Sequence, residues 1–250
     1  MPPPLPGESP NPFALPAQGG GTPVGAGFVP PPVFPVPEGV ASATVVLLSV
    51  HVLLDALNVA VSAWAVSLLV SIKRGMSVDQ GLASLVDGIS SLIAVLSSLC
   101  YIATVVVFCV WLHGTVKNAH TVGMKEPKPG WAVGAFFVPF MNLVVPFQAV
   151  SNASRAFSAA AGTGGHRPSV VPVWWTLWLV GNFAANIAAR LILQSAFSSS
   201  QPSLDELVAM AWSDGISSLL LASAGVACIM MVKTLTRLQR DIANQYAGAH

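Results

Sequence analysis

Charge is scarce from Gly39 onward, and the charged positions are spaced so that long apolar stretches lie between them. Uncharged runs cover 39–54, 56–72, 88–112, 129–154, 168–189 and 215–232. A helix needs about 20 mostly apolar residues to cross a bilayer core, because every backbone amide must be satisfied within the segment. The first two runs join through Asp55, and the pattern predicts spans at about 42–72, 80–113, 171–197 and 205–235. The expected fold class is all-α: a polytopic helical membrane protein with four transmembrane helices.

The run 129–154 is long enough to cross, yet it holds Pro139 and Pro146, with Gly130 and Gly134 before them. Each proline removes a helical hydrogen bond. Such backbone survives at membrane depth only where protein or water satisfies the freed carbonyls. The run is therefore either a kinked fifth span or a re-entrant, broken hairpin. Re-entry puts Lys117, Lys125, Lys128, Arg155, Arg167, Lys233, Arg237 and Arg240 on one side, against Lys73 and Arg74 on the other. Crossing gives seven against three. Positive residues favour the cytoplasmic side, so loop charge leans to re-entry.

A repeat points the same way. Asp-Gly-Ile-Ser-Ser-Leu occurs at 87–92 and again at 214–219, and at the same offset Asp79 pairs with Glu206 and Ser98 with Gly225. Both helices leave into basic segments, so they should run parallel, with an even number of crossings between them. The architecture is then two helical hairpins related by a pseudo-twofold along the membrane normal. A chance match in a chain rich in Ser, Gly and Leu is the other explanation.

Composition narrows the class. The chain of 250 residues is 54% hydrophobic and 8% charged, with a mean hydropathy of +0.69. Soluble domains carry about 25% charged residues, which excludes an ordinary soluble enzyme. A formal charge of +1 offers no basic surface for nucleic acid. Residues 1–38 differ from the rest, with 13 prolines among the first 37 and no Lys or Arg. They read as a disordered, partly polyproline II tail on the cytoplasmic side, and Pro2–Pro4 or Pro30–Pro32 suit an aromatic docking groove. No basic n-region with an apolar h-region marks a signal peptide. At the other end, Leu235, Leu238 and Ile242 oppose Lys233, Arg237 and Arg240, so 236–250 reads as an amphipathic helix lying on the inner leaflet.

Intramembrane ionisable groups are the first candidates for chemistry, because each is costly unless paired. Asp55, Asp87, Asp214 and Arg190 form the candidate buried cluster, with His51 as a weaker member. At ~1.5 Å per helical residue, Arg190 lies at a depth similar to Asp87 and Asp214, so a charge-assisted cluster is expected. It serves either as a helix lock or as a ligand site. Two Asp-Gly dipeptides on different spans faintly suggest an intramembrane aspartyl protease, but Arg190 at that depth disfavours a shared proton. Gly88, Ser91 and Ser98 in one helix, and Gly215, Ser218, Ala222 and Gly225 in another, give small faces for close helix approach. Cys100, Cys109 and Cys228 lack ligand spacing, and neither a metal nor a cofactor is expected. Trp111, Trp131, Trp174 and Trp175 fall near the inner ends of their segments and are expected to act as interfacial anchors.

The central block resembles a bacterial family, domain of unknown function 4328. The resemblance rests on Trp111 and Asn118, the run Pro129-Gly130-Trp131-Ala132-Val133-Gly134, and Phe137-Val138-Pro139. Asn142-Leu143, Pro146-Phe147-Gln148 and Trp174-Trp175 with Trp178 complete it, over roughly 44–238. It implies a multi-pass bacterial membrane protein and no mechanism. It also raises the weight of Asn142 and Gln148, whose amides can meet freed carbonyls or a polar ligand in the broken segment.

The expected role is non-enzymatic: binding or passage of a small ligand in a transporter- or channel-like protein of the bacterial plasma membrane, both termini cytoplasmic. The alternative is a structural or partner-binding protein whose Pro-rich tail recruits a cytoplasmic factor; a membrane-embedded enzyme comes third. The expected partners are the lipid bilayer and a homo-oligomer or another membrane protein.

Overall fold

A computed structural model describes residues 35–165, 168–197 and 201–247. The tail docking motifs and Arg167 lie outside the described residues. Four long helices carry the fold: α1 (Glu38–Lys73), α2 (Gln80–Thr121), α5 (Val170–Ala196) and α6 (Leu204–Ala247). All four contain stretches long and apolar enough to cross a membrane. Between α2 and α5 come α3 (Pro129–Gly134), two 3-10 turns (Ala135–Phe137 and Met141–Leu143) and α4 (Val145–Ala160).

The helix starts are held by side chains that satisfy orphan amides. Asp79 accepts from the Gly81 amide at 2.6 Å at the head of α2. At α6 a reciprocal box forms: Glu206 accepts from the Ser203 amide at 2.7 Å, and Ser203 Oγ accepts from the Glu206 amide at 3.3 Å. The two acidic positions matched by the repeat therefore both cap helix N-termini.

α1 and α6 run antiparallel over their whole length. Lys73 pairs with Asp205 at one end, and Arg240 Nε donates to Glu38 Oε1 at 2.7 Å at the other. The C-terminal end of α2 returns to the same place, where Asn118 Nδ2 donates to the Pro35 carbonyl and to Gln239 Oε1, both at 2.9 Å. α2 and α6 are therefore parallel. α1 packs mainly on α6 and α2, and α5 mainly on α6, while the backbones of α2 and α5 stay apart and meet through the rings of Phe108 and Trp174, 6.1 Å between centroids.

Close approach depends on small residues. A Cβ on Gly225 would lie 2.6 Å from Val52 Cγ2, and one on Gly215 would lie 3.2 Å from Ser62 Cβ. These two glycines let α6 sit against α1. In the other copy of the repeat nothing lies within 4 Å of a Cβ placed on Gly88. The two copies have the same direction but different neighbours: α6 is sandwiched between α1 and α5, whereas this part of α2 faces outward.

The core is concentrated at the basic end. Trp111, Leu112 and Val116 of α2, Phe157 of α4, and Met231 and Leu235 of α6 are fully buried there. Two expectations are corrected by this layer. The segment 236–250 is not a separate surface helix: α6 continues to Ala247, and Ile242 and Gln239 are fully buried, so the amphipathic face packs on the protein's own core. Likewise α2 runs on to Thr121, beyond the expected end near 113. The drop in hydropathy marks where the apolar stretch ends, not where the helix ends.

The proline-containing segment is broken, and its two limbs, Pro129–Phe137 and Met141–Ala160, meet at 112°. At the tip, Phe140 adopts a left-handed φ of 64°, uncommon for a bulky residue. Two hydrogen-bond contacts tie the start of the segment to its surroundings. His120 Nε2 lies 3.0 Å from the Pro127 carbonyl, and Asn152 Nδ2 of α4 donates to the Glu126 carbonyl at 2.8 Å. Between them Phe136 reaches inward to touch Phe108 of α2 and Trp178 of α5.

Candidate functional site

Two polar features sit inside the apolar part of the bundle. The first is a stripe on α1. His51, Asp55, Asn58 and Ser62 recur at helical spacing and share one face. That face meets α6, where Asp214 Oδ2 accepts from Asn58 Nδ2 at 2.7 Å and from Ser62 Oγ at 2.8 Å. Asn58 Nδ2 also donates to Ser218 Oγ at 2.9 Å. Asp55 is buried one helical turn from Asn58, and its Oδ2 has no hydrogen-bond partner. His51 Nε2 lies 3.7 Å from that oxygen, too far for a hydrogen bond.

The second feature is a cavity of about 360 Å³ between the four long helices. Tyr101 and Phe108 of α2, Trp178 and Asn182 of α5, and Leu221 and Ala224 of α6 form its walls. Its floor is the broken segment, through Phe136, Phe137 and Asn142. His51 closes the α1 side, its ring centroid 6.0 Å from that of Tyr101, and its buried Nδ1 has no hydrogen-bond partner. Asn182 Nδ2 is committed to the Trp178 carbonyl at 2.8 Å, which leaves its carbonyl oxygen to accept. The volume lies at the lower end of the range typical of small-molecule sites. Among the described residues, no group of three or more His, Cys, Asp or Glu converges as a metal site would require.

Of the expected cluster, the structure brings Asp55 and Asp214 together and leaves Asp87 and Arg190 apart. Both of these are exposed, on helices whose backbones stay apart, and among the described residues neither side chain has a hydrogen bond or ion pair. Equal depth does not fix the direction in which a residue points around its helix axis. Asp214 is instead satisfied by neutral donors. Asn58 and Ser62 lie outside the expected cluster, and Ser218 is expected only as a small packing residue, although the polar stripe 51–55–58–62 in an apolar helix is visible in the sequence.

The tryptophans and amides also need correction. Trp111, Trp174 and Trp175 are buried and are not interfacial anchors; only Trp131 of the four is exposed. Trp111 Nε1 donates to Thr236 Oγ1 at 3.3 Å, tying α2 to α6. Trp175 Nε1 donates to the Leu143 carbonyl at 3.2 Å, so an indole satisfies the break. Asn142 lines the cavity, while Gln148 is exposed on α4.

The environments predict different mutational costs. Asp214→Ala strands the Asn58 and Ser62 donors between two helices and should lower unfolding free energy in bicelles by about 1–2 kcal/mol, the scale of interhelical hydrogen bonds in membranes. Asp87→Ala and Arg190→Ala remove no partner and should each stay within about 0.5 kcal/mol of the parent. Equal losses at Asp214 and Arg190 would mean that the two are coupled after all.

The family described as Domain of unknown function (DUF4328) matches residues 74–237, which spans α2, the broken segment, α5 and most of α6. No curated protein and no solved structure matches the chain.

Proposed function

Since this chain belongs to the DUF4328 family, which carries no assigned activity, we propose a function from the cavity itself: a non-enzymatic membrane protein that binds a small, largely apolar ligand. The observation that carries this reading is the lining of the cavity, mostly aromatic and aliphatic, with the side-chain carbonyl oxygen of Asn182 left as an acceptor. A ligand with an apolar body and one hydrogen-bond donor would fill the space and meet that oxygen. Buried polar atoms without partners are costly, so such a ligand gains both apolar burial and a hydrogen bond.

Binding is favoured over passage. The fully buried layer of Trp111, Leu112, Val116, Met231 and Leu235 lies between the cavity and the basic end. Entry is then from the lipid, through the side where the backbones of α2 and α5 stay apart. We place the basic end on the cytoplasmic side of a bacterial plasma membrane, on the positive-inside rule. The broken segment then enters the membrane from that side and leaves by it. Recruitment of a cytoplasmic factor would rest on the Pro-rich segment, which lies outside the described residues.

N-phenyl-1-naphthylamine, a neutral aromatic amine that accepts energy from tryptophan, tests the proposal. Titrated into nanodisc-embedded protein, it should give saturable energy transfer from Trp174 and Trp178. Ala224→Phe, which fills the cavity, should weaken binding at least about tenfold, equivalent to about 1.4 kcal/mol, while Gln148→Ala should not change it. Purely linear partitioning, or equal binding by Ala224→Phe, would refute the cavity as a site.

A further inference from the structure

A second groove, of about 370 Å³, lies outside the bundle between the start of α1 and the last third of α6. We propose that it binds an anionic phospholipid, independently of the central cavity. Its α6 wall carries Lys233, Arg237 and Arg240, and its α1 wall carries Ser42, Val45 and Val46. The three basic positions follow at steps of four and three, so they share one helix face. Arg240 is already paired with Glu38. Lys233 and Arg237 have no anionic partner among the described residues, and both are exposed.

The position of these two cations identifies the ligand. Lys233 is the first charge after the uncharged run 215–232, so it lies where apolar core gives way to headgroups. On the membrane side of the groove the exposed surface turns mainly apolar, with the Ser49 hydroxyl turned back onto the Val45 carbonyl. Val46, Val50, Leu53 and Leu57 are 61%, 44%, 60% and 47% exposed and continue one face of α1. On α6, Met230 and Val226 continue the line of Lys233 and Arg237, and they are 55% and 46% exposed. From Val46 to Leu57 the rise is about 16 Å, or roughly one leaflet of a 30 Å core.

The surface therefore pairs two unmatched positive charges with an apolar track one acyl chain long. A phosphodiester headgroup would accept hydrogen bonds from Lys233 and Arg237, and Thr236 between them adds a hydroxyl. An acyl chain would lie along the α1 and α6 stripes. A soluble anion could use the cations but not the track, and a zwitterionic lipid could use the track but would bring its own cation to the two already there. Charge complementarity selects an anionic lipid, and basic pockets between helices at the inner surface recognise such headgroups.

Native mass spectrometry of the full chain, with defined additions of phosphatidylglycerol, phosphatidylcholine or inorganic phosphate, tests this. Phosphatidylglycerol should bind in preference to phosphatidylcholine, and phosphate should neither bind nor compete. Lys233→Gln with Arg237→Gln should weaken phosphatidylglycerol binding about 30-fold, from about 1 kcal/mol for each charge. Lys125→Gln with Lys128→Gln removes the same charge elsewhere at the basic end and should keep the preference. Loss of the preference in both double variants would reduce the effect to general surface charge and overturn the groove. Equal binding of the two lipids, binding of phosphate alone, or an unchanged Lys233/Arg237 variant would overturn it as well.

Discussion

Trp175→Ala should lower the unfolding free energy by about 3–5 kcal/mol, the usual cost of removing a buried tryptophan. Trp175 is 5% exposed. It stacks on Trp178 with ring centroids 4.9 Å apart and lies at 5.2 Å from Trp174 and 6.4 Å from Phe147. Its Nε1 also holds the Leu143 carbonyl at the break. Two effects are lost together: the packing that joins α5 to the broken segment, and the donor for the Leu143 carbonyl at the break. Trp175→Phe separates them. It keeps an aromatic ring and loses the N–H, and it should cost only about 1–2 kcal/mol. Urea-free unfolding in mixed micelles, read by helical circular dichroism, provides the comparison. If phenylalanine is as damaging as alanine, the hydrogen bond outweighs the packing. If neither variant loses stability, Trp175 does not hold the segment.

Gly225→Ala should cost about 1–3 kcal/mol, the typical penalty for overpacking a well-filled interface. The new methyl would lie 2.6 Å from Val52 Cγ2, and a β-branched side chain on a helix has little rotamer freedom to move aside. The strain must go into separating α1 from α6, which would also stretch the Asn58 and Ser62 bonds to Asp214. Val52→Ala in the same chain removes the obstructing methyl, so the double variant should recover most of the loss. A double variant as unstable as Gly225→Ala alone would show that some contact other than Val52 sets the spacing. Gly88→Ala is the matched control, because its Cβ meets nothing within 4 Å. It should be neutral or slightly stabilising, as an alanine forms helix better than glycine.

Those two results also show what could and could not be read from the chain. Hydropathy located all four long helices, because the need for about 20 apolar residues leaves a strong signal in a sequence with so few charges. It did not locate their ends. Past His113 in α2 and Leu235 in α6 the polar residues mark protein packed on protein, where Asn118 meets Gln239 and Ile242 is buried. Trp111, Trp174 and Trp175 failed for a related reason. An indole near an apolar boundary suits both the headgroup layer and a protein core, and a sequence does not distinguish them. The proline pattern did mark the broken segment and, with it, Asn142 on the cavity floor. Asp55 and Asp214 stand out as acids in apolar helices, and Asp55 shares the α1 face whose Asn58 and Ser62 hold Asp214. The link from Asp87 and Asp214 to Arg190 rested on equal depth, which says nothing about the direction each residue faces around its helix axis. Asn58 and Ser62 carry no charge and were passed over, although their register with Asp55 was readable.

The cavity reading depends on the broken segment turning back beneath it, so topology is the most direct test. Compartment reporters fused after Lys128, after Gly164 and after Arg240 should all give the same side, because the bond from Asn152 to the Glu126 carbonyl holds α4 beside the start of the broken segment. A reporter after Arg74 should give the opposite side. If the fusion after Gly164 reports the side opposite to the one after Lys128, residues 129–160 cross the membrane and the cavity has no floor.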